Sequence, residues 1–203
     1  MCYECIGAVY AMSSEDVVAL VLAAGFSRRF GADKRRAKLC DGRGLLQAVL
    51  QQAISVYGEV FVVLREEDDP YLLGVPKEVQ VIRAVNAGRG LGASLADGVC
   101  ALSAASVEAG ALAVLLGDMP WIAMSTHRRL VEQMSPDRIL RPVYNEKSGH
   151  PVLFGRDFWP ALQCLDGDTG ARSVLRMQPQ ACIDVFLNDP NINKDADTPT
   201  DLI

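Results

Sequence analysis

Four segments of this sequence have residue types and spacing suited to binding a charged ligand. The first is LAAGFSRRFGADK, residues 22–34, in which small residues precede cationic ones: Ala23, Ala24 and Gly25 come first, and Arg28 and Lys34 are among the cations that follow. Small side chains let backbone N–H groups come close to an anion, and arginine and lysine bind phosphate groups. The spacing differs from the GxxxxGK[ST] of a P-loop. We expect this segment to bind phosphates, the alternative being a flexible basic loop.

The second segment, NAGRGLGASL at 86–95, is rich in glycine. Gly88, Gly90 and Ala93 match a loose GxGxxA pattern, which is found in dinucleotide-binding folds. Those folds also place an acidic residue at the end of a strand about 20 positions later, and Glu108 has the distance but precedes its strand. Two interpretations follow: a partial match to a dinucleotide-binding oxidoreductase, and a glycine loop that contacts a nucleobase through its backbone.

Carboxylates form the third and fourth segments. Asp118 follows an apolar run in LLGDMP, where it either holds Mg²⁺ at a ligand crevice or caps a turn before the next proline. Asp195 and Asp197 lie in DADTPTD near the end of the sequence. They can add metal ligands, while Thr198 and the proline after it have the spacing of a helix start. Both interpretations of this last segment can hold at once.

The composition indicates a globular chain. The 203 residues are 50% hydrophobic and 22% charged, with a net charge of −5, which argues against disorder and against a nucleic-acid partner. The longest apolar run, at 17–26, is shorter than the roughly 20 residues of a membrane span, and the first residues do not have the order of a secretory signal. We expect a soluble, cytoplasmic protein with no membrane partner. The basic segment 28–38 indicates either a small anionic ligand or a solvated charged loop.

Strands and helices alternate in the first two thirds of the sequence. Segments rich in apolar residues predict strands at 17–22, 59–64, 79–82 and 111–116. Helices are predicted between and after them, at 45–57, 93–105 and 125–133, the last with Ser125 as its N-cap. Apolar runs of this kind are typical of a parallel sheet covered on both faces. Ligands bind beyond the carboxyl ends of such strands.

The pattern changes after residue 138. We predict strands at 138–144, 150–154 and 181–186, with a turn at Ser148 and Gly149 between the first two. Helices are predicted near 157–164 and 169–177, and a helical turn at 198–203. The fold class is therefore α/β, with a mixed, mostly parallel central sheet. We expect one domain over 17–203, preceded by an N-terminal extension, 1–16, outside the core.

Six motifs, taken in order, resemble those of the molybdenum cofactor cytidylyltransferase family: LAAGFSRRFGADK, GLGASLADG, LLGDMP, SGHPVLF, GDTGAR and DADTP. The resemblance covers residues 17–203. It implies a three-layer α/β/α nucleotidyltransferase fold of the nucleotide-diphospho-sugar transferase type. One departure is that Arg35 and Arg36 follow Lys34, where relatives often have apolar residues.

The resemblance also implies roles for individual residues. The nucleotide-binding residues would be Leu22, Ala23, Ala24, Gly25, Arg28, Lys34, Gly90, Gly92 and Ser94. Arg28, Lys34 and Asp118 would be catalytic, and Asp118 would bind Mg²⁺ with Asp195 or Asp197 as a second carboxylate. The acceptor would be bound by His150, Asp168 and Arg172.

The implied reaction is Mg²⁺-dependent transfer of CMP from CTP to molybdopterin, with release of pyrophosphate. The partners would be the nucleotide, the pterin cofactor and a molybdenum hydroxylase that receives the product. Two alternatives stay open. One is guanylyl or other nucleotidyl transfer to a different phosphorylated acceptor, and the other is a non-catalytic carrier or chaperone of the molybdenum cofactor.

Overall fold

The computed structural model describes residues 12–26 and 30–202. Its strands are β1 (Val17–Leu22), β2 (Glu59–Arg65), β3 (Gln80–Ala84), β4 (Ala111–Leu116), β5 (Ile139–Tyr144), β6 (Lys147–Ser148), β7 (Val152–Gly155) and β8 (Cys182–Phe186). Its α-helices are α1 (Leu45–Ile54), α2 (Leu91–Ala104), α3 (Met124–Val131), α4 (Trp159–Gln163) and α5 (Arg172–Met177). Single 3₁₀ turns lie at Ser14–Asp16, Lys34–Arg36, Ala87–Arg89, Arg156–Phe158, Pro190–Asn193 and Pro199–Leu202. The strands and helices predicted from the sequence are all present, with bounds that differ by a few residues.

The eight strands form one mixed sheet in the order β3-β2-β1-β4-β7-β5-β6, with β8 paired to β5. β3, β2, β1 and β4 are parallel to one another. β7 runs antiparallel to both β4 and β5, and β8 is parallel to β5. The chain passes from β5 to β7 through a short connection that contains β6. A connection this short joins antiparallel strands, because parallel strands need a longer crossover. The predicted mixed, mostly parallel α/β sheet is confirmed.

Helices cover the sheet on both faces, which gives three layers. Along β1, Val17, Ala19 and Val21 pack in the cluster that contains α1 and α3, and the alternate residues pack in the cluster that contains α2 and α4. All six β1 residues are buried, and each fully buried valine or leucine stabilises the fold by about 1.5–3 kcal/mol. Helix α2 lies especially close to the sheet, since a Cβ at Gly98 would be 2.7 Å from Leu20 Cδ2.

Two local predictions were wrong. The helix predicted from Ser125 begins at Met124 with Ala123 as its N-cap. A carboxylate distant in the sequence takes the place of a capping side chain, since Asp189 Oδ2 accepts from the Ala123 N–H at 2.9 Å. The turn predicted at Ser148 and Gly149 lies earlier, at Asn145 and Glu146, both with positive φ.

The described part of the predicted N-terminal extension packs on the core. The Gly58 N–H donates to Ser14 O and the Gly110 N–H donates to Asp16 O, both at 2.9 Å. Residues 1–11 lie outside the described residues. Within residues 12–26 and 30–202, no helix is long and apolar enough to cross a membrane.

Candidate functional site

A cavity of about 490 Å³ lies at the carboxyl ends of β1 and β4, where a parallel sheet binds its ligands. It is formed by the loop after β1, the start of α2, the loop after β4 and part of the C-terminal segment; we call it the first cavity. Seven of the predicted nucleotide-binding residues line it: Leu22, Ala23, Ala24, Gly25, Lys34, Gly90 and Ser94. Arg28 lies outside the described residues.

Small residues let the loops after β1 and β4 lie side by side. Sheet-like hydrogen bonds continue beyond the strand ends, since the Ala23 N–H donates to Val63 O and the Gly117 N–H donates to Leu22 O, both at 3.0 Å. A Cβ at Gly117 would be 3.1 Å from the Cβ of Ala23, which is closer than most Cβ contacts. Larger side chains at either position would separate the loops and widen the floor of the first cavity.

Lys34 joins three parts of the chain at this floor. Its Nζ donates to Asp118 Oδ2 at 2.6 Å and to Ala196 O at 3.2 Å. Asp197 Oδ1 lies 3.6 Å from the same Nζ. The Ala196 N–H donates to Asp118 O at 3.0 Å, and this bond holds the C-terminal segment against the end of β4. Two carboxylates and one ammonium group therefore meet in the first cavity.

One oxygen of this carboxylate pair is not used by the described residues. Asp118 Oδ1 is buried, and it accepts no hydrogen bond from the described residues. Within residues 12–26 and 30–202, no three His, Cys, Asp or Glu side chains group into a metal site. Mg²⁺ fits two carboxylates, because it often takes one or two from the protein and the rest of its ligands from water and substrate phosphates. Asp118 and Asp197 are the residues that could hold it.

A second cavity, of about 460 Å³, shares Leu116 with the first as a lining residue. His150 and Arg172 line it, as do Arg176 and Asp195. Arg141 also lines it but is paired with Asp184, with Arg141 Nε 2.7 Å from Asp184 Oδ1. Among the described residues, Arg172 and Arg176 form no ion pair. The second cavity therefore presents two arginines that can bind an anion.

His150 is a neutral polar group in this second cavity. Its Nδ1 is buried and has no hydrogen-bond partner within the described part of the chain. Burial lowers the pKa of His150, and a hydrogen bond with the Val114 backbone and the charges of Asp118 and Asp195 oppose that shift only in part. The ring is therefore uncharged at pH 7, and it can form a hydrogen bond with a ligand bound in the second cavity.

Three predicted residues have locations that the motifs did not indicate. Asp168 was expected on the acceptor side, but it lines the first cavity next to Gly90. Asp195 lines the second cavity, while Asp197 lies near Lys34. The Gly92 N–H donates to Gly167 O at 2.7 Å, and this glycine packs against the 166–167 backbone instead of lining the first cavity.

The glycine-rich segment does not have the position of a dinucleotide-binding turn. It follows β3, which is the edge strand of the sheet, whereas that turn follows the first strand of its fold. Gly90 has a φ of 120° and is the N-cap of α2. Ser94, in the first turn of this helix, also faces the first cavity, with its Oγ 3.2 Å from Gly90 O.

Arg35 is a site residue to which sequence reasoning assigned no role. It is 4% exposed and lies under the loop after β1, between Asp33 and Asp68. Burial alone would lower the pKa of Arg35, but the hydrogen bonds and charges of the two carboxylates raise it. Hydrogen bonds from Arg35 and Arg65 outweigh burial and lower the pKa of Asp68. The available signal was the two basic residues after Lys34, where the family resemblance leads one to expect apolar ones.

Comparison with known proteins identifies the family. The model of the MobA-like NTP transferase domain matches residues 19–182. This chain belongs to that family. The resemblance found in the motifs is confirmed, and with it the nucleotide-diphospho-sugar transferase fold. The chain is therefore a nucleotidyltransferase of the MobA-like type.

Several known proteins are similar to this MobA-like transferase over most of its length. The nicotine blue oxidoreductase of Paenarthrobacter nicotinovorans is 26% identical over 200 residues, which are 90% of this chain and 92% of that protein. The purine catabolism protein PucB of Bacillus subtilis (strain 168) is 26% identical over 174 residues, 81% of this chain and 83% of that protein.

Solved structures of similar proteins have the same fold. The crystal structure of Rv0371c from Mycobacterium tuberculosis H37Rv has a TM-score of 0.76 and 25% identity, and the match covers 94% of this chain and 96% of that one. A second structure of Rv0371c, in complex with manganese, has a TM-score of 0.68 and 23% identity, with 85% and 88% of the two chains covered.

Proposed function

We propose that this MobA-like transferase transfers CMP from CTP to molybdopterin in a divalent-metal-dependent reaction that releases pyrophosphate. The observation that carries the proposal is that two cavities share Leu116 as a lining residue, and that Asp118, two residues further on, lines the first of them. A nucleotidyl transfer needs a donor site and an acceptor site that open onto the same phosphorus atom. The first cavity suits the donor nucleotide and the second suits the acceptor.

The first cavity offers backbone groups and cations to the nucleotide. In the proposal, Ala23, Ala24 and Gly25 contact the nucleotide through their backbone, and Lys34 binds its phosphates. Gly90 and Ser94 line the base and ribose end, and we now assign Asp168 to this end because it lies next to Gly90. Arg28 stays a predicted phosphate ligand.

The second cavity suits an acceptor that carries a phosphate group. Arg172 and Arg176 supply two positive charges without carboxylate partners among the described residues, and arginine binds phosphate through two N–H groups at once. The neutral His150 ring can hold or accept one proton of the acceptor. A phosphorylated pterin has both the anionic group and the polar ring that these residues fit.

The chemical step joins these two sites. A phosphate oxygen of the acceptor attacks the α-phosphorus of CTP, and the bond from that phosphorus to the bridging oxygen breaks, so that its electron pair leaves with pyrophosphate. Both reactants are anions, and their repulsion must be neutralised. Mg²⁺ or a similar ion, when bound by Asp118 and Asp197, supplies positive charge at the phosphates. The structure of Rv0371c with manganese supports a divalent ion in this family.

Calorimetric titration tests the proposal. The protein is titrated with CTP, GTP, ATP and UTP, each with and without Mg²⁺ or Mn²⁺. NADPH is included because one relative is named an oxidoreductase. We expect metal-dependent binding of CTP in preference to the others, followed by pyrophosphate release when molybdopterin is added. Preference for GTP would move the function to guanylyl transfer. CTP binding without pyrophosphate release would favour the carrier alternative.

The biological setting of this reaction is part of the proposal. A molybdenum hydroxylase that receives the cytidylylated cofactor is the proposed partner, and the cytoplasm is the proposed location. Pull-down of such a hydroxylase from the native host by the tagged full chain, loaded with product, tests the first point. Equal recovery with and without the product would argue against transfer to that partner.

A further inference from the structure

We infer that Arg35 is the positioning residue of the loop after β1, residues 22–26, and that it orients the peptide group between Ala23 and Ala24. The inference rests on the proposed nucleotide site in the first cavity. It concerns a residue that departs from the family motif, so the resemblance does not supply it.

All five N–H groups of the Arg35 guanidinium are used within the protein. Nε donates to Asp33 Oδ1 at 2.8 Å, and Nη2 donates to Asp33 Oδ2 and Asp68 Oδ1, both at 2.7 Å. Nη1 donates to Asp68 Oδ2 at 2.5 Å and to Ala23 O at 2.8 Å. A guanidinium has five N–H donors, so none is left for a phosphate group. Arg35 therefore forms a wall of the first cavity instead of binding the nucleotide directly.

The bond to Ala23 O determines where the next N–H group points. In a trans peptide the C=O and N–H groups point in opposite directions, and the peptide between Ala23 and Ala24 is trans. Because Arg35 holds the oxygen on its buried side, the Ala24 N–H points away from Arg35. Ala24 lines the first cavity, so this N–H is directed to where a ligand would lie.

A second contact fixes the far end of the same loop. Arg65 Nη2 donates to Asp68 Oδ1 at 2.8 Å, and the Arg65 guanidinium lies 5.2 Å from the centroid of the Phe26 ring. Asp68 thus connects two arginines. Arg35 binds the Ala23 carbonyl oxygen, and Arg65 contacts the Phe26 ring. Asp68 lies in the loop after β2 and Arg65 is the last residue of β2, so these contacts couple the orientation of the nucleotide-binding loop to the neighbouring strand.

Arg35→Lys tests the inference, with Arg36→Lys as the matched control because Arg36 is exposed. Lysine keeps the charge but has three donors on one atom and cannot reach two carboxylates and a carbonyl together.

We expect amide hydrogen exchange over 22–26 to become faster by about tenfold, while exchange in β4 is unchanged. We also expect the Kd for CTP to rise by about tenfold and the ratio of the Kd values for CTP and GTP to change. A residue that only stabilised the fold would leave that ratio unchanged at temperatures well below the melting point.

The outcomes separate this inference from the proposed function. Unchanged exchange over 22–26 in folded Arg35→Lys would overturn the inference, and so would faster exchange with unchanged nucleotide affinity and selectivity. If the parent protein binds no nucleotide, the proposed function is overturned. Faster exchange over 22–26 in Arg35→Lys would in that case still support the inferred orientation of the loop. If Arg35→Lys does not fold, Asp68→Asn is measured in the same way. The Arg36→Lys control should match the parent in every measurement.

Discussion

The first and second cavities share Leu116 but present opposite charges. The first has the carboxylates of Asp118, Asp168 and Asp197, and its two described cations already have carboxylate partners. The second has Arg172 and Arg176 without such partners in the described part of the chain. This difference indicates that the first cavity needs a cation together with its ligand, whereas the second can bind an anion directly.

The first prediction tests whether Asp118 serves the reaction that joins the two cavities. Asp118→Asn keeps the shape of the side chain but removes its charge, so we expect metal-dependent turnover to fall by a factor on the order of 10² or more. Pyrophosphate release measures it. Asp137→Asn, at an exposed aspartate, is the control. Turnover within a few-fold of the parent would remove Asp118 from the metal site.

The second prediction concerns the core that supports both cavities. His127 is 1% exposed, its Nδ1 lies 2.9 Å from the Tyr57 hydroxyl, and burial lowers its pKa to about 4, although Asp189 opposes this. In the unfolded chain the His127 ring becomes protonated below about pH 6.5, whereas in the folded chain it becomes protonated only below about pH 4. The free energy of unfolding should therefore decrease by about 3 kcal/mol as the pH falls through that range.

Urea unfolding between pH 7 and pH 4 measures this loss, and His127→Gln is the comparison. The variant should lose less free energy of unfolding over the same range, because the carboxylates and the buried His150 titrate in both proteins and His127 in only one. Equal losses in the two proteins would contradict a buried neutral His127. The result also gives the pH range in which the two cavities can be compared on an intact fold.

The third prediction separates the metal from the nucleotide in the first cavity. Lys34→Gln removes the ammonium that lies 2.6 Å from Asp118 and 3.6 Å from Asp197. We expect CTP affinity to fall by about tenfold because a charged phosphate contact is lost. Without nucleotide, Mn²⁺ affinity should instead rise severalfold, because the two carboxylates are no longer neutralised. Paramagnetic relaxation of water measures the Mn²⁺ binding. A fall in both affinities would show that Lys34 does not compete with the metal.

The fourth and smallest effect is expected in the second cavity. Arg172→Gln and Arg176→Gln should each raise the KM for the acceptor by about fivefold, since each loses one exposed charged contact. The Kd for CTP should stay the same. Arg129→Gln, on an exposed part of α3, is the control. Weakened CTP binding in the cavity variants would mean that the two cavities are not separate donor and acceptor sites.

Much of the fold and part of the candidate site were predictable from local patterns. The apolar runs of β1 and β4 are buried on both faces, and a side chain in such a run needs no knowledge of its partner to be buried. The small residues 23–25 and Asp118 follow directly from the ends of these strands. Their location beside one cavity is a consequence of the rule that ligands bind at the carboxyl ends of parallel strands.

Charge partners were not predictable in the same way. Asp168 and Asp195 have no strand or helix period to indicate which cavity they line. Asp189 caps α3 from a loop 66 residues later, so the search for a local N-cap at Ser125 failed. The departure at Arg35 was visible in the sequence, but its partner Asp68 is 33 residues away, and two other basic residues, Arg36 and Lys38, follow it.

The sequence by itself determined every strand except β6, the α-helices, the family motifs and the residues at the ends of β1 and β4. Those features depend on near neighbours and on the periods of helix and strand. The tertiary structure alone decided that Lys34 meets Asp118 and Ala196, 84 and 162 residues later. It also decided that the guanidinium of Arg35 is turned toward Ala23 O and the carboxylates of Asp33 and Asp68. Which oppositely charged groups meet depends on the path of the whole chain, because any of several carboxylates satisfies a cation equally well until the fold excludes the others.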